Sequence, residues 1–164
     1  MRTKTTIQIR LAANTDLEAI CELSDQINAQ HHAAAPTVFV QHNRRELDRL
    51  FWQTTFQGPT TCAFVACDED EAVLGFITVS WQENNTIPFL QRRKICRIGT
   101  IVVADSHQHQ GIGKLLMDAA LAWGREQGAV EVRLEVFDFN RNAIEFYQTQ
   151  GYQVQSHIMC KSLD

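Results

Sequence analysis

The stretch Ile98–Leu116, IGTIVVADSHQHQGIGKLL, decides the architecture. Its apolar, β-branched run stops at Val103, and the polar segment Ala104–Gln110 follows. Gly111 and Gly113 then open a helical pattern that continues to Gln127. A strand that feeds a glycine-bearing turn and then a helix gathers unpaired backbone N–H groups at the positive end of the helix, which suits an anionic phosphate. Glycines matter in such a turn because a side chain would hold the phosphate away from the backbone. Two familiar phosphate motifs fail. A dinucleotide fingerprint needs a third glycine where Leu116 stands, and a Walker loop needs glycine at 108 and Ser or Thr at 115, where the chain has Gln108 and Leu115.

Downstream, Ile112, Leu115, Leu116, Ala119 and Trp123 form an apolar stripe, and Gly128 closes the helix as a C-terminal cap. Val130–Phe137 alternates apolar and polar residues, a strand signature. Asn140 caps a short helix to Thr149 with Ala143, Ile144 and Tyr147 on one face. Gly151 stops that helix, and Tyr152–Met159 is a last strand. Upstream, Lys94–Val103 is the strand that delivers the turn. Before it, Thr61–Ala66 and Val73–Trp81 pair across the charged loop Cys67–Glu71, and Gln82–Arg93 is a longer connection, expected to be mobile at Glu83-Asn84-Asn85. At the start, Thr5–Leu11 alternates as a strand. A helix over Asp16–Gln30, begun by Asn14-Thr15-Asp16, carries Leu17, Ile20, Cys21, Leu23, Ser24 and Ile27 at helical spacing. A break at His31–Pro36 precedes a second helix, Asn43–Thr55, that turns Leu47, Leu50, Phe51 and Phe56 inward. The order is β-α-α-β-β-β-α-β-α-β. It predicts an α/β chain with a mixed sheet, in which one crossover helix joins the strands ending at Val103 and Phe137.

With 164 residues, 45% hydrophobic and 21% charged, the sequence fits one globular domain over 1–164. Net charge is −4, and basic residues are scattered apart from Arg92, Arg93 and Lys94, which argues against a nucleic-acid surface. Five cysteines without a CxxC pair predict reduced, mostly buried thiols and a cytoplasmic protein. His31-His32 and His107-x-His109 lack zinc-site companions, so no metal is expected. No signal peptide or membrane-spanning run is expected either.

Gln108-x-x-Gly111-x-Gly113 resembles the pyrophosphate motif Arg/Gln-x-x-Gly-x-Gly/Ala of the GNAT N-acetyltransferases. Asn140-x-x-Ala143-Ile144-x-Phe146-Tyr147-x-x-x-Gly151-Tyr152 resembles the C-terminal motif of the same family and lies at the expected distance behind it. The element order is also the family's. The first 60 residues match only in a general way. The resemblance implies the acyl-CoA N-acyltransferase fold, with splayed central parallel strands, and acetyl-CoA as cosubstrate. It implies direct acetyl transfer to the primary amine of a small or amino-acid-like acceptor. A protein N-terminus or lysine as acceptor, or a non-catalytic acetyl-CoA module, stay as alternatives. No nucleic acid or membrane partner is expected, and a homodimer is left open.

Residue by residue, the resemblance assigns the cofactor to Ile101, Val102 and Val103 on the strand. It adds Gln108, His109, Gln110, Gly111, Ile112, Gly113 and Lys114 in the turn, and Asn140, Ala143 and Tyr147 on the last helix. An N–H near Val103 polarises the thioester carbonyl, and Asn140 contacts the pantetheine arm. Tyr147, two turns beyond Asn140, is the candidate acid for the departing thiolate: a phenol with a reference pKa of about 10 keeps its proton at neutral pH. The base is less defined. Several family members carry a glutamate eleven residues ahead of the motif, where this chain has Arg97. Glu135 is the substitute carboxylate, with a water chain to solvent as the preferred alternative. His31–Gln41 and the connection 82–93 border the acceptor site by resemblance. Arg97 either receives an anionic acceptor there or pairs with Glu135.

Overall fold

The computed structural model describes residues 6–41 and 44–163, so Thr5 and Asn43 lie outside the described residues. Two compact units are distinguished, one up to Leu134 and one from Glu135 onward.

The first unit is built on a five-stranded sheet. β1 (Gln8–Leu11), β2 (Thr61–Cys67), β3 (Val73–Glu83), β4 (Lys94–Val103) and β5 (Glu131–Arg133) lie side by side in that order. The first three pairings are antiparallel, and β4 with β5 is parallel. Three helices cover it: α1 (Leu17–Ala34), α2 (Arg45–Gln57) and α3 (Ile112–Glu126). Alternation along the strands decides which residues meet which helix. Val65, Cys67, Phe76 and Val102 form one core with Leu17, Ile20, Cys21 and Leu23 of α1 and Trp52 of α2. On the other face, α3 lies close to the sheet. A methyl group added at its Gly124 would stand 3.0 Å from the Cys96 sulfur, and one at Gly75 of β3 would stand 3.4 Å from Leu116. Two ion pairs from Arg45, to Glu18 and Asp25, and one from Arg49 to Glu18 tie α2 to α1.

One irregularity shapes the sheet. Ile77 pairs with Ile101 and Val79 with Ile98, so Thr78 stands opposite both Gly99 and Thr100. This bulge in β4 places two successive residues on the α1/α2 face and bends the strand. Gly99 has no room for a side chain, since a Cβ there would come within 2.8 Å of Thr78 Oγ1. That oxygen accepts the Thr100 N–H at 2.9 Å.

Several boundaries differ from expectation. α1 runs through His31 and His32 to Ala34, because no proline constraint acts before Ala35. Asn14–Asp16 forms a separate 3₁₀ turn. Cys67 closes β2 rather than opening the hairpin loop, and β3 extends to Glu83. Asn84 lies in the connection and is fastened through both ends of its amide to Ile87. On α2 Trp52 is buried and Phe56 packs against the same core as expected, whereas Leu47, Leu50 and Phe51 are exposed. On α3 the buried row is Ile112, Leu116, Ala120 and Gly124, with Met117, and Leu115 faces out. In each helix the larger apolar side chains suggest a face slightly rotated from the one that packs. β5 comprises only Glu131–Arg133 rather than Val130–Phe137. Its ladder ends at Arg97↔Arg133, just before the bulge turns β4 aside.

The second unit contains α4 (Arg141–Thr149). Gly151, at φ 87°, breaks the chain away from it. The expected strand Tyr152–Met159 is not formed among the described residues. Alternation offers a face there, but Val154, Ile158 and Met159 are exposed, so no burial fixes a register.

Candidate active site

The turn between β4 and α3 is held from within and from α1. The Ala104 N–H bonds to Leu74 of β3. Peptide groups alternate sides along a strand, so those of Val103 and Ile101 point to the opposite edge. Beyond Arg97 that edge has no paired strand in this unit among the described residues. The Val103 carbonyl accepts the side-chain amides of Gln26, at 3.1 Å, and Gln108, at 3.2 Å. Gln26 also accepts the Asp105 N–H at 3.1 Å, and Gln108 donates to the Asp105 carboxylate at 2.9 Å. Gln108, expected at the pyrophosphate, thus braces the turn with its side chain. Gln26 was not singled out from the sequence; it lies 77 residues from Val103, and an isolated helix glutamine carries no local signal.

The helix entrance has an unusual backbone. His109 (φ 60°) and Gly111 (φ 84°) both adopt the left-handed region, which disfavours residues with a Cβ. No side chain caps α3, so the N–H groups of Ile112, Gly113 and Lys114 have no acceptor within the helix. The space where a Gly111 Cβ would sit is open to 4 Å. A phosphate can therefore approach the backbone directly. Ile112 and Val102 are buried, which leaves their side chains to the core and only their backbone to a ligand. Lys114 pairs with Asp118 one turn along at 2.7 Å. Both residues are well exposed, and such a pair is worth only about 0.3–0.5 kcal/mol, so the lysine is available to an anion. Gln110 bonds back to the Ser106 carbonyl at 3.3 Å. These features fit the diphosphate and the peptide-like arm of coenzyme A.

On the same unit, Arg97 is exposed and makes no ion pair among the described residues. In the second unit, Asn140 caps α4 by accepting the Ala143 N–H at 3.2 Å. The cap uses only the side-chain oxygen, leaving its amide donors for another partner. Glu135 is exposed. Tyr147 is half-buried and stands edge-on to Tyr152 with ring centres 5.9 Å apart. Burial, with a smaller contribution from Tyr152, pushes the Tyr147 phenol up to about 12, so it keeps its proton at neutral pH. The predicted site residues thus fall into two sets. Arg97, the β4 edge and the turn belong to the first unit, and Glu135, Asn140, Ala143 and Tyr147 to the second. The cysteines are free; Cys21, Cys62, Cys67 and Cys96 are buried, and burial raises Cys96 to about 11, which keeps it an inert thiol. No helix among the described residues is long and apolar enough to cross a membrane.

Known proteins with the same organisation were found by sequence and by structure. Streptothricin acetyltransferase of Streptomyces lavendulae is 38% identical over 89 residues, 54% of this chain and 43% of that protein. N-acetyltransferase 8 of Homo sapiens is 29% identical over 93 residues, 57% of this chain and 39% of that protein. The chain thus spans less than half the length of these curated relatives. A mutant of the BH1408 protein from Bacillus halodurans superposes with a TM-score of 0.90 at 27% identity, covering 95% of this chain and 99% of that one. Aminoglycoside N-acetyltransferase AAC(6')-Iy in complex with CoA superposes with a TM-score of 0.79 at 17% identity, over 99% of this chain and 97% of that one. At such identity the likeness is one of fold. The profile of the acetyltransferase (GNAT) family matches residues 25–152, and the chain belongs to that family.

Proposed function

We propose that the chain, as one functional domain over both units, is an N-acetyltransferase that transfers acetyl from acetyl-CoA directly to a primary amine of a small or amino-acid-like acceptor. The observation that carries the reading is the junction of β4 and α3. A strand edge at Ile101 and Val103, past the end of the β5 ladder, runs into an uncapped helix end whose entrance is left-handed at Gly111. Family membership supports the reaction class. Streptothricin acetyltransferase among the relatives supports a small-molecule acceptor.

When bound, acetyl-CoA supplies the activated acetyl thioester. The protein's own groups do the rest. Backbone N–H groups of 111–114 receive the diphosphate, and the outward peptide groups of Ile101 and Val103 pair with the arm. The Val103 N–H is the donor for the carbonyl oxygen, where negative charge grows. Asn140 steadies the arm through its free amide donors. Tyr147 holds a proton at its phenol oxygen for the leaving sulfur, and the raised pKa keeps that proton in place. The acceptor ammonium loses its proton to water, with Glu135 as the carboxylate alternative, and Arg97 faces the acceptor. The test is thiol release from acetyl-CoA against a panel of amines, with and without the protein. Amine-dependent release by the protein is expected, and its absence with every amine contradicts the reading.

A further inference from the structure

Beside the bulge, the α1/α2 face of the sheet holds a cavity of about 290 Å³ between Trp52 and Thr55 of α2 and Thr78, Ser80, Gly99 and Thr100 of the sheet. No charged side chain lines it. Arg97 pairs in register with Ser80, so the two share this face, and Gly99 lies two residues further along the same strand. On the other side Arg97 stands directly opposite Arg133 of β5. Parallel partners in register also share a face, so both guanidinium stems leave the sheet on the face that holds the cavity. Glu131, on the same face, takes Arg93 and Arg133 as ion-pair partners. Two arginines thus share one carboxylate while Arg97, on the same face, is left without an ion pair among the described residues, in a protein whose net charge is −4.

Like charges directly opposed across two strands destabilise the pairing. Glu131 relieves the strain at Arg133, whereas Arg97 has no ion pair among the described residues. An anion arriving at Arg97 would remove the repulsion and gain a charge-assisted hydrogen bond. From Arg97 to Ile101, at the edge assigned to the thioester, is at most roughly 13 Å of strand at about 3.3 Å per residue. The arginine side chain and an acceptor of amino-acid size can bridge that length together.

We propose that the acceptor amine carries an anionic group, a carboxylate or a phosphate, which Arg97 binds next to Arg133, while its uncharged part enters the cavity beside Trp52 and Thr78. This deepens the acetyl-transfer reading and rests on it. The cavity's uncharged lining and the arginines beside it oppose a polycationic acceptor, which would need carboxylates there.

The experiment measures thiol release from acetyl-CoA with matched acceptors. These are the standard amino acids beside their carboxamides, O-phosphoethanolamine beside ethanolamine, and spermidine. The best anionic acceptor should exceed its neutral partner in kcat/KM by about tenfold or more, as expected for one desolvated charge contact. Whether the carboxylate or the phosphate series leads identifies the anion. Arg97→Gln should erase the preference through KM rather than kcat, and Arg97→Lys should restore part of it. Arg125→Gln, which removes an exposed charge on α3, should keep it. Calorimetry without acetyl-CoA should show the same loss of affinity for the best acceptor in Arg97→Gln. The inference is overturned if the best acceptors are neutral or polycationic, or if the preference survives Arg97→Gln. It is also overturned if acetyl-CoA binds but no member of the panel is acetylated. A protein that fails to bind acetyl-CoA instead overturns the reading on which it rests.

Discussion

Two side chains set the expectations at the scale of single residues. Tyr147 is the assigned proton donor, and burial raises its pKa from 10.0 to about 12. Tyr147→Phe keeps the ring and removes the proton, so turnover should fall by about tenfold or more while acetyl-CoA affinity stays nearly unchanged. If thiolate departure limits the rate, the wild-type alkaline limb should lie above pH 10 and vanish in the variant. A turnover and pH profile like wild type would remove Tyr147 from the mechanism. The same shift affects stability. A raised folded pKa gives a contribution that is complete below pH 10 and is lost as the pH rises toward 12. Gln26 acts at the other end of the site, joining α1 to Val103 and Asp105. Gln26→Leu deletes two hydrogen bonds of about 0.5–1.5 kcal/mol each. It should loosen the turn, lowering acetyl-CoA affinity more than kcat for bound substrates. Calorimetry showing wild-type affinity would reduce Gln26 to a structural tie.

Among the elements, the bulged strand β4 is the most constrained. Gly99→Ala would drive a methyl group to within 2.8 Å of Thr78 Oγ1 and disturb its bond to the Thr100 N–H. Overpacking of this kind costs about 1–3 kcal/mol, to be read as a drop in the denaturation midpoint. An unchanged midpoint would mean that Thr78 gives way freely. The sequence showed β4 with its observed limits, Lys94 and Val103, because its β-branched run is bounded by a basic cluster and a polar turn. It also showed the buried side of α1, where Leu17, Ile20, Cys21 and Leu23 repeat with helical spacing. The bulge was not legible, since it is a property of pairing with Thr78 and not of composition. Nor was the rotation of α3, whose contact with β4 depends on small Gly124 against Cys96 rather than on bulky Trp123. Tyr152–Met159 alternates like a strand, yet alternation cannot create a ladder. For the site, the glycine turn and the Asn140 cap could be read from spacing. The Gln26 bridge and the opposition of Arg97 to Arg133 could not, because strand register and tertiary contact create them.

For the molecule as a whole, a partly buried charge pair links β1 to the turn that enters α1. Asp16 is almost fully buried and accepts two bonds from Arg10, at 2.8 and 3.0 Å, and the Ala13 N–H at 2.8 Å. Burial alone would raise its pKa; Arg10 and the Ala13 N–H together outweigh it and hold the carboxyl below the usual range. A depressed folded pKa gives stability that is present above the ordinary aspartate value and lost as the pH falls through the lower, folded one. Asp16→Asn should therefore cost about 1.5–3 kcal/mol near neutrality, the range for hydrogen bonds to charged groups. The cost should shrink in acid, and a pH-independent difference in denaturation midpoint would contradict it. The central claim is that the helix entrance at Gly111–Lys114 binds acetyl-CoA through its backbone. Its most direct test is calorimetric titration of acetyl-CoA into wild type and Gly113→Leu. Leucine is favoured over glycine within a helix by up to about 1 kcal/mol, so the variant should be at least as stable as wild type. Its side chain should nevertheless hold the diphosphate off the N–H groups, and acetyl-CoA affinity should fall by at least about tenfold. Equal affinity in the two proteins, or no binding to wild type, would contradict the account.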